Sequence, residues 1–323
     1  MNIERTELLN RLIAAKNNDF VKILTGIRRC GKSYLLFNLF KSHLLEDGIP
    51  EDHIIEINLE NPNAKSLRTP TALENFINSH LIHDGIHNYV LIDEIQLCQR
   101  EWTIIERYKI QSQAALERVV DFTMSNIACP LNPTRIANAL TTASGIPTNN
   151  HTISRYLSCL EDSFILSHAQ RYDVRGRHYL DFPVKYYATD TGLRNARINF
   201  RQTEKTHLME NVIYNELLRR GYSVDVGIVE LEKRIEGHHA RPKYEIDFVV
   251  NQGSSRIYIQ SAYVIPDAEK RAQETFSLRH TGDSFKKLVI TNGPLQSRNY
   301  DDDGIFYMGL LDFLTNPKAL ESF

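Results

Sequence analysis

The feature that most constrains the fold of this chain is a glycine-bounded loop, Gly26 to Ser33, which reads Gly-Ile-Arg-Arg-Cys-Gly-Lys-Ser and fits the pattern G-x-x-x-x-G-K-[ST]. The apolar run 20–25 before the loop predicts a short buried strand. Residues 34–41 after it predict a helix, because no Gly or Pro interrupts them. A strand, a loop and a helix in this order allow backbone N–H groups to surround phosphate oxygens. The sequence therefore predicts a nucleotide-binding α/β core.

The loop residues have predicted roles in holding ATP and Mg²⁺. Gly26 and Gly31 allow the backbone to curl so that its N–H groups point inward. Lys32 is expected to reach the β- and γ-phosphates, and the hydroxyl of Ser33 is expected to bind Mg²⁺. The other residues predicted to contact the nucleotide are Ile27, Arg28, Arg29, Cys30 and Tyr34. A chance match in an unrelated loop is the alternative, and the strand and helix on either side argue against it.

A second strand ends in two carboxylates. Apolar residues 89–92 run directly into Asp93 and Glu94, which is the Walker B pattern. In open α/β sheets, ligands bind at the carboxyl ends of the strands. Asp93 is expected to hold Mg²⁺, and Glu94 is expected to orient and activate the attacking water. The pattern is weak alone, but here a predicted strand, 54–59, and a predicted helix, 71–81, separate it from the loop.

Composition limits the other function classes. The 323 residues are enough for two or three domains, and 42% hydrophobic with 24% charged residues is typical of a soluble protein. The net charge of −2 predicts that any nucleic-acid-binding surface is local. No signal peptide or membrane-length apolar run is evident, and the four scattered cysteines form no C-x-x-C pair. We therefore expect a cytoplasmic protein without a membrane association, a disulfide framework or a thiolate zinc site.

Residues 133–182 are predicted to form a winged helix. Asn132 and a following Pro begin one helix, 150–162 forms a second helix in the recognition position, and 164–182 forms the hairpin. The stretch 164–201 carries seven Lys or Arg against three Asp, which favours DNA. Against it, Arg155 is the single Lys or Arg of the second helix. Contact with DNA and contact with a protein therefore both remain open.

The last third of the chain resembles the PD-(D/E)XK nuclease fold, with the order helix, strands, helix, strand. That chemistry needs a carboxylate followed by E/D-x-K on the next strand, to place Mg²⁺ and a water beside a phosphodiester. Asp247 is at the position of the first carboxylate, with Glu210 or Glu216 on the preceding helix. Gln260 and Ala262 replace the E-x-K pair, so we expect this centre to be degenerate and inactive. The alternative is that Lys286 or Lys287 supplies the missing lysine.

Several segments in combination resemble bacterial and archaeal AAA-type ATPases that carry a C-terminal domain of unknown function. They are Gly26–Ser33, Leu-Ile-Asp93-Glu94-Ile-Gln, Arg155-Tyr-Leu157, Lys185-Tyr-Tyr187, Asp190-Thr-Gly-Leu-Arg194, Leu208-Met-Glu-Asn211, Glu216-Leu-Leu-Arg-Arg-Gly-Tyr222 and Glu245-Ile-Asp-Phe248. The resemblance covers nearly the whole chain. It implies ATP hydrolysis coupled to a C-terminal module.

One departure from this family concerns the ATPase core. Only three parallel core strands are predicted, at about 21–25, 54–59 and 89–93, and this is fewer than a complete AAA core has. The sensor strand, the helical lid and the candidate arginine finger are missing. Either this segment is deleted, or residues that stood between Trp102 and Thr103 are not in this sequence. Residues 115–124 have helical spacing and are predicted as a core helix, not as the sensor strand.

The predicted architecture is α/β, with three domains. Residues 1–102 form an incomplete P-loop NTPase core, 103–203 a helical and winged-helix domain, and 204–323 a nuclease-like α/β domain. Three functions are open: an ATP-dependent switch or motor, a non-hydrolysing ATP-binding scaffold, and a metal-dependent nuclease. The partners left open besides the nucleotide are DNA, another protein and further copies of this chain.

Overall fold

A computed structural model describes residues 6–16, 21–24, 30–99, 108–144, 148–201, 204–235, 238–253, 255–293 and 299–321. The chain divides into two compact units, Met1–Ile110 and Gln111–Phe323. Among the described residues, none of the helices combines the length and the apolar character needed to cross a membrane.

The described residues of the first unit form three helices and a pair of strands. Helix α2 is continuous, and it is α-helical over Lys32–Tyr34, π-helical over Leu35–Phe40 and α-helical over Lys41–Glu46. The remaining elements are helices α1 (Thr6–Ala15) and α3 (Pro70–His80), strands β1 (Ile54–Asn58) and β2 (Tyr89–Asp93), and 3₁₀ turns at Glu51–His53, Pro62–Leu67 and Ile95–Gln99.

Strands β1 and β2 pair in parallel and are covered on both faces. Ile54 packs with α1 and α2, while Ile55 and Ile57 pack towards α3. This explains why both strands read as nearly continuous apolar runs. Asn58 lies opposite Asp93 at their carboxyl ends, so the predicted acidic pair is at the edge of the sheet where ligands bind. The strands predicted at 54–59 and 89–93 are confirmed.

The predicted first strand of the core is not a strand over the residues that the structure describes. Residues 21–24 lie outside any helix or strand, and the side chains of Val21 and Ile23 are 89% and 78% exposed. Phe20 and Thr25 lie outside the described residues. A strand needs a hydrogen-bonded neighbour, and residues 21–24 pair with neither β1 nor β2. The count of three core strands is therefore wrong for the described part of this unit, which has two.

The second unit is built on a large sheet with helices on both faces. Its helices are α4 (Gln113–Ser125), α5 (Pro133–Ser144), α6 (Asn150–Asp162), α7 (Thr191–Arg197), α8 (Lys205–Arg219), α9 (Ala268–Arg279) and α10 (Leu310–Thr315). Its strands are β3 (Pro130–Leu131), β4 (Leu166–Asp173), β5 (His178–Ala188), β6 (Ser223–Glu230), β7 (Lys233–Ile235), β8 (His238–Ala240), β9 (Lys243–Gln252), β10 (Ser255–Ala262), β11 (Lys286–Thr291), β12 (Asn299–Tyr300) and β13 (Ile305–Gly309). The core helix predicted at 115–124 is confirmed by α4.

Nine of these strands form one sheet, in the order β12-β13-β11-β10-β9-β6-β4-β5-β3, and β7 pairs with β8 separately. The β4–β5 hairpin joins the rest of the sheet because β4 pairs in parallel with β6, with Arg171 opposite Val226. The sheet is therefore continuous across the domain boundary predicted at residue 204. This continuity places residues of β5 beside residues of α8 and β9.

Helix α8 covers one face of the sheet. Its buried residues include Met209, Ile213 and Leu217, which recur at helical spacing and belong to the same apolar cluster as Tyr187 and Phe248. The rings of Tyr187 on β5 and Tyr214 on α8 stack with centroids 3.9 Å apart. Glu210, the residue after Met209 on α8, is also buried, so α8 carries a carboxyl group into the interior.

Candidate functional site

The first candidate site is at the start of helix α2. Gly31 has φ +87°, a left-handed conformation that favours glycine, and the helix begins at the next residue, Lys32. The N–H of Leu35 donates to the carbonyl of Gly31 at 3.0 Å. The backbone N–H groups of a helix's first turn are the groups that commonly bind anions. Of the predicted loop residues, Gly26, Ile27, Arg28 and Arg29 lie outside the described residues.

The acidic pair lies at the end of β2. The side chain of Asp93 is buried, and its Oδ1 accepts a hydrogen bond from the N–H of Glu94 at 3.1 Å. Glu94 has φ +55°, which is uncommon for a residue other than glycine. Strained backbone of this kind is often found where a side chain must be held in a functional position. At Glu94 the chain leaves β2, and the 3₁₀ turn Ile95–Gln99 begins at the next residue.

A cavity of about 500 Å³ brings three of the predicted residues together, because Lys32, Asp93 and Glu94 all line it. Its other walls are largely apolar and include Leu12, Leu36, Phe40, Tyr89 and Leu91. Three lysines (Lys16, Lys22 and Lys32) line the cavity together with the two carboxylates. A space of this size with a few charged groups is typical of a small-molecule site. The Nζ of Lys32 is 3.9 Å from the Sγ of Cys30, while Ser33 is exposed and is not among the residues that line this cavity.

The second candidate site lies in the interior of the second unit. The ammonium of Lys185 on β5 contacts three carboxyl groups: its Nζ is 2.8 Å from Glu210 Oε1, 2.8 Å from Glu245 Oε1 and 3.5 Å from Asp247 Oδ1. The Lys185 side chain is only 3% exposed. The side-chain Oε1 of Gln260 is 3.4 Å from the backbone nitrogen of Asp247. The structure therefore brings the predicted Glu210, Asp247 and Gln260 together.

Neighbouring groups hold the carboxyls in place. The hydroxyl of Tyr187 donates to Glu210 Oε1 at 2.8 Å, and the N–H of Ser261 donates to Asp247 Oδ2 at 2.9 Å. Bonds of this kind fix the direction in which each carboxyl group points. Ala262, at the position of the lysine in an E-x-K pair, is 2% exposed.

Three residues that the sequence left as alternatives do not join this cluster. The carboxylate of Glu216 accepts hydrogen bonds from Arg219 and Arg220, so the helix contributes Glu210 instead. Lys287 Nζ donates to the backbone oxygen of Asp283, and Lys286 is exposed at the start of β11. The ammonium found among these carboxyl groups belongs to Lys185 on β5, and not to Lys286 or Lys287, which the sequence offered as the alternative.

Sequence reasoning missed the role of Lys185. The sequence contained a signal, because Lys185 stands among apolar and aromatic residues, Val184, Tyr186 and Tyr187. The structure shows that all three of these neighbours are buried. A lysine inside a buried strand must be paired, because an isolated buried ammonium is strongly unfavourable. The sequence could therefore have predicted a carboxylate partner, though not which one.

Burial shifts the pKa values of the two buried carboxyl groups, Glu210 and Asp247, upward. It raises the pKa of Glu210 to about 8, although the nearby ammonium of Lys185 opposes the shift. Burial also raises the pKa of Asp247 above its ordinary value. For Lys185 burial acts in the other direction, but the three surrounding carboxyl groups hold its pKa well above the ordinary value.

The raised pKa of Glu210 predicts that the protein becomes less stable as the pH rises from about 5 to about 8. In this window the folded state keeps a proton on Glu210 that the unfolded chain, with an ordinary pKa of 4.5, has lost. Glu210→Gln removes this titrating group and should weaken the dependence of the free energy of unfolding on pH. Urea unfolding at about pH 5 and about pH 8 measures this dependence for the wild type and the variant. Equal slopes in the wild type and the variant would contradict the assignment.

Comparisons with known proteins bear on both units. Residues 18–124 match a family model described as an AAA domain, and residues 96–204 match a domain of unknown function (DUF8612). An uncharacterized protein of Haemophilus influenzae is 26% identical over 406 aligned positions, covering 95% of this chain and 97% of that protein. The alignment is longer than the 323-residue chain, so the relative has residues without a counterpart here.

Two further matches are more distant. An uncharacterized protein of Methanocaldococcus jannaschii is 21% identical over 201 residues, which cover 62% of this chain and 42% of that protein. A crystal structure of a Vibrio cholerae protein covers 91% of this chain and 81% of its own, with 12% identity and a TM-score of 0.26, too low to indicate a shared fold. Over residues 18–124, the chain is thus similar to AAA-type P-loop domains.

Proposed function

We propose that this chain is an AAA-type ATP-binding protein whose nucleotide state controls a C-terminal module that binds DNA or protein. The observation that carries the proposal is the shared cavity of Lys32, Asp93 and Glu94 at the start of helix α2. The match of residues 18–124 to an AAA domain supports it independently. The oxygen and ammonium groups present are those that ATP and Mg²⁺ require.

In this proposal, each residue of the site has one task. Lys32 pairs with the terminal phosphates, and the backbone around Gly31 supplies N–H groups. Ser33 and Asp93 are the oxygen ligands for Mg²⁺, and Glu94 positions a water. Bound Mg²⁺ supplies the charge that stabilises the transferred phosphoryl group.

Alkylation of Cys30 tests the proposal directly on the full chain. Cys30 is half-buried and close to Lys32, so bound ATP·Mg²⁺ should cover its thiol and slow the reaction in a saturable way. Cys129, which is also half-buried but belongs to the other unit, is the internal control. Equal Cys30 rates with and without ATP·Mg²⁺ would contradict nucleotide binding at this loop.

Turnover separates a motor from a non-hydrolysing scaffold. We expect the dilute chain to hydrolyse ATP slowly or not at all, because an arginine finger alone is worth about 10³–10⁵ in rate. The missing segment of the resembled family would carry the sensor and the candidate finger. A steady-state phosphate-release assay of the wild type and Glu94→Gln, with and without duplex DNA, measures this. Brisk turnover that Glu94→Gln abolishes would favour the motor and place a finger elsewhere, with Arg28 and Arg29 as candidates.

The C-terminal half of the proposal concerns the module formed by α5, α6 and the β4–β5 hairpin, which we assign as a winged helix. Arg175 and Arg177 are exposed at the hairpin turn, where a wing would contact DNA. Binding of labelled duplex DNA in low and high salt distinguishes a DNA module from a protein module. A DNA module should lose affinity steeply as the salt concentration rises.

We also propose that the 204–323 region is nuclease-like in fold but does not cut nucleic acid. Gln260 is a neutral ligand, and the ammonium of Lys185 lies among the carboxyl groups that would hold Mg²⁺. Plasmid and single-stranded DNA incubated with Mg²⁺ or Mn²⁺ should remain intact at rates near background. Cleavage by the wild type that Asp247→Ala removes would instead support the nuclease hypothesis.

A further inference from the structure

A buried histidine joins the two segments that precede strands β1 and β2. His53 ends the 3₁₀ turn before β1, and its side chain is 3% exposed. Its Nδ1 is 3.0 Å from Oδ1 of Asp52 in the same turn. Its Nε2 is 3.0 Å from Oδ1 of Asp84, which lies in the 82–88 loop before β2. Both ring nitrogens therefore face a carboxylate oxygen.

The 82–88 loop is a closed unit that ends at the cavity in the first unit. The side chain of Asn88 accepts a hydrogen bond from the N–H of Ile82 at 3.1 Å and donates one to the carbonyl of Ile82 at 2.8 Å. His87 and Asn88 line the cavity, and β2 begins at the next residue. A change in how this loop is held therefore reaches the wall of the cavity.

The protonation state of His53 decides whether both of its contacts are hydrogen bonds. An imidazolium donates from both nitrogens, whereas a neutral imidazole donates from one and presents a lone pair at the other. The N–H of Ile86 donates to Asp84 Oδ1 at 2.9 Å, and this bond together with the imidazole lowers the pKa of Asp84. The Asp84 carboxylate thus stays ionised and can only accept. Both contacts are hydrogen bonds only when the ring carries two protons.

The neighbouring charges favour this doubly protonated ring. Glu51, in the same turn, pairs with Lys41 on α2 at 3.0 Å, and His83 and His87 are exposed in the loop. Within the described ranges, the charged groups placed against the His53 ring are the two aspartates. Their hydrogen bonds raise the pKa of His53 above its ordinary value of 6.5, and burial opposes the shift. The two bonds are therefore complete below pH 6.5 and are lost as the pH rises through the raised pKa.

We propose that His53 is a proton-dependent clamp on the 82–88 loop. As an imidazolium, it holds the loop against the turn before β1 through Asp84. When the ring loses a proton, one of the two bonds breaks and the loop is released. Release shifts His87 and Asn88 in the cavity wall, so the shape of the cavity depends on pH. Both states belong to the free chain, and the proposal does not depend on nucleotide binding.

Nuclear magnetic resonance of the full chain, labelled with ¹⁵N-histidine and free of nucleotide, tests the proton. The ring ¹⁵N shifts report whether one or both nitrogens are protonated, and His53→Gln and His83→Gln identify the two signals by their loss. We expect His53 to keep both protons to a higher pH than the exposed His83 does. A His53 ring that titrates together with His83, or at lower pH, would overturn the proposal.

Amide hydrogen exchange tests the release of the loop. Protection of 82–88 is measured at about pH 6 and about pH 9, relative to the intrinsic exchange rate at each pH, so that the direct effect of pH cancels. In the wild type, protection should fall at the higher pH. Asp84→Asn is the decisive variant, because its exposed position tolerates the change and its amide can accept from the charged ring or donate to the neutral one.

The loop of Asp84→Asn should therefore stay protected at both pH values. His83→Gln, an exposed change in the same loop, should behave as the wild type does. Wild-type protection that is equal at the two pH values would contradict the clamp. A fall in Asp84→Asn as large as that in the wild type would also contradict it, since another group would then release the loop.

Discussion

Lys185→Ala is expected to lower the free energy of unfolding by about 3–5 kcal/mol. The substitution leaves the carboxyl groups of Glu210 and Asp247 buried without their ammonium partner. Urea unfolding of the wild type and the variant measures the loss. The matched control is Lys243→Ala, which removes the pair that the half-exposed Lys243 makes with Glu230 and should cost less than about 1 kcal/mol.

A neutral version of the cluster separates charge from packing. Lys185→Met combined with Glu210→Gln and Asp247→Asn leaves no buried charge uncompensated among these three positions. It should therefore recover most of the stability that Lys185→Ala loses, because neutral groups of similar volume often replace buried ion pairs without cost. If Lys185→Ala and Lys243→Ala lost the same small amount, the cluster would not be a buried charge network.

Lys32→Ala is expected to weaken ATP·Mg²⁺ binding by about 100-fold or more, while the free energy of unfolding stays unchanged. Hydrogen bonds to charged groups contribute about 1.5–3 kcal/mol each, and Lys32 is expected to contact two phosphates. Its side chain lines a cavity at a helix start and is not packed in the apolar core. The fold should therefore tolerate its removal.

The control for this variant is Lys65→Ala, which removes the same charge from an exposed position in the same unit. It should bind ATP·Mg²⁺ as the wild type does. Competition with a fluorescent ATP analogue measures both variants side by side. If Lys32→Ala and Lys65→Ala bind equally well, the ammonium of Lys32 does not face the phosphates.

Much of the fold could be predicted because local signals agree with it. Three local signals predicted elements close to those observed: the apolar runs at β1 and β2, the Asn and Pro that begin α5, and the helical spacing of residues 115–124 in α4. In these segments, the burial pattern and the helix-start residues favour the same structure that packing requires. The acidic end of β2 was predictable for the same reason.

The failures have a different origin. The apolar run at 21–24 has a strand-like pattern, but ladder partners from elsewhere in the chain decide whether it pairs. The role of Lys185 depends on the parallel pairing of β4 with β6, which brings the β5 hairpin beside α8 and β9. No local pattern encodes such a long-range register. The choice between Glu210 and Glu216 likewise depends on where the two arginines after Glu216 lie.

The most direct test of the central claim, that this chain binds ATP at the loop beside Asp93 and Glu94, is a calorimetric titration. ATP·Mg²⁺ is added to the nucleotide-free, full-length wild type, and the heat gives both affinity and stoichiometry. The account predicts one saturable site per chain, and binding that chelation of Mg²⁺ weakens. A titration without saturable heat at millimolar ATP, on protein shown to be folded, would contradict it.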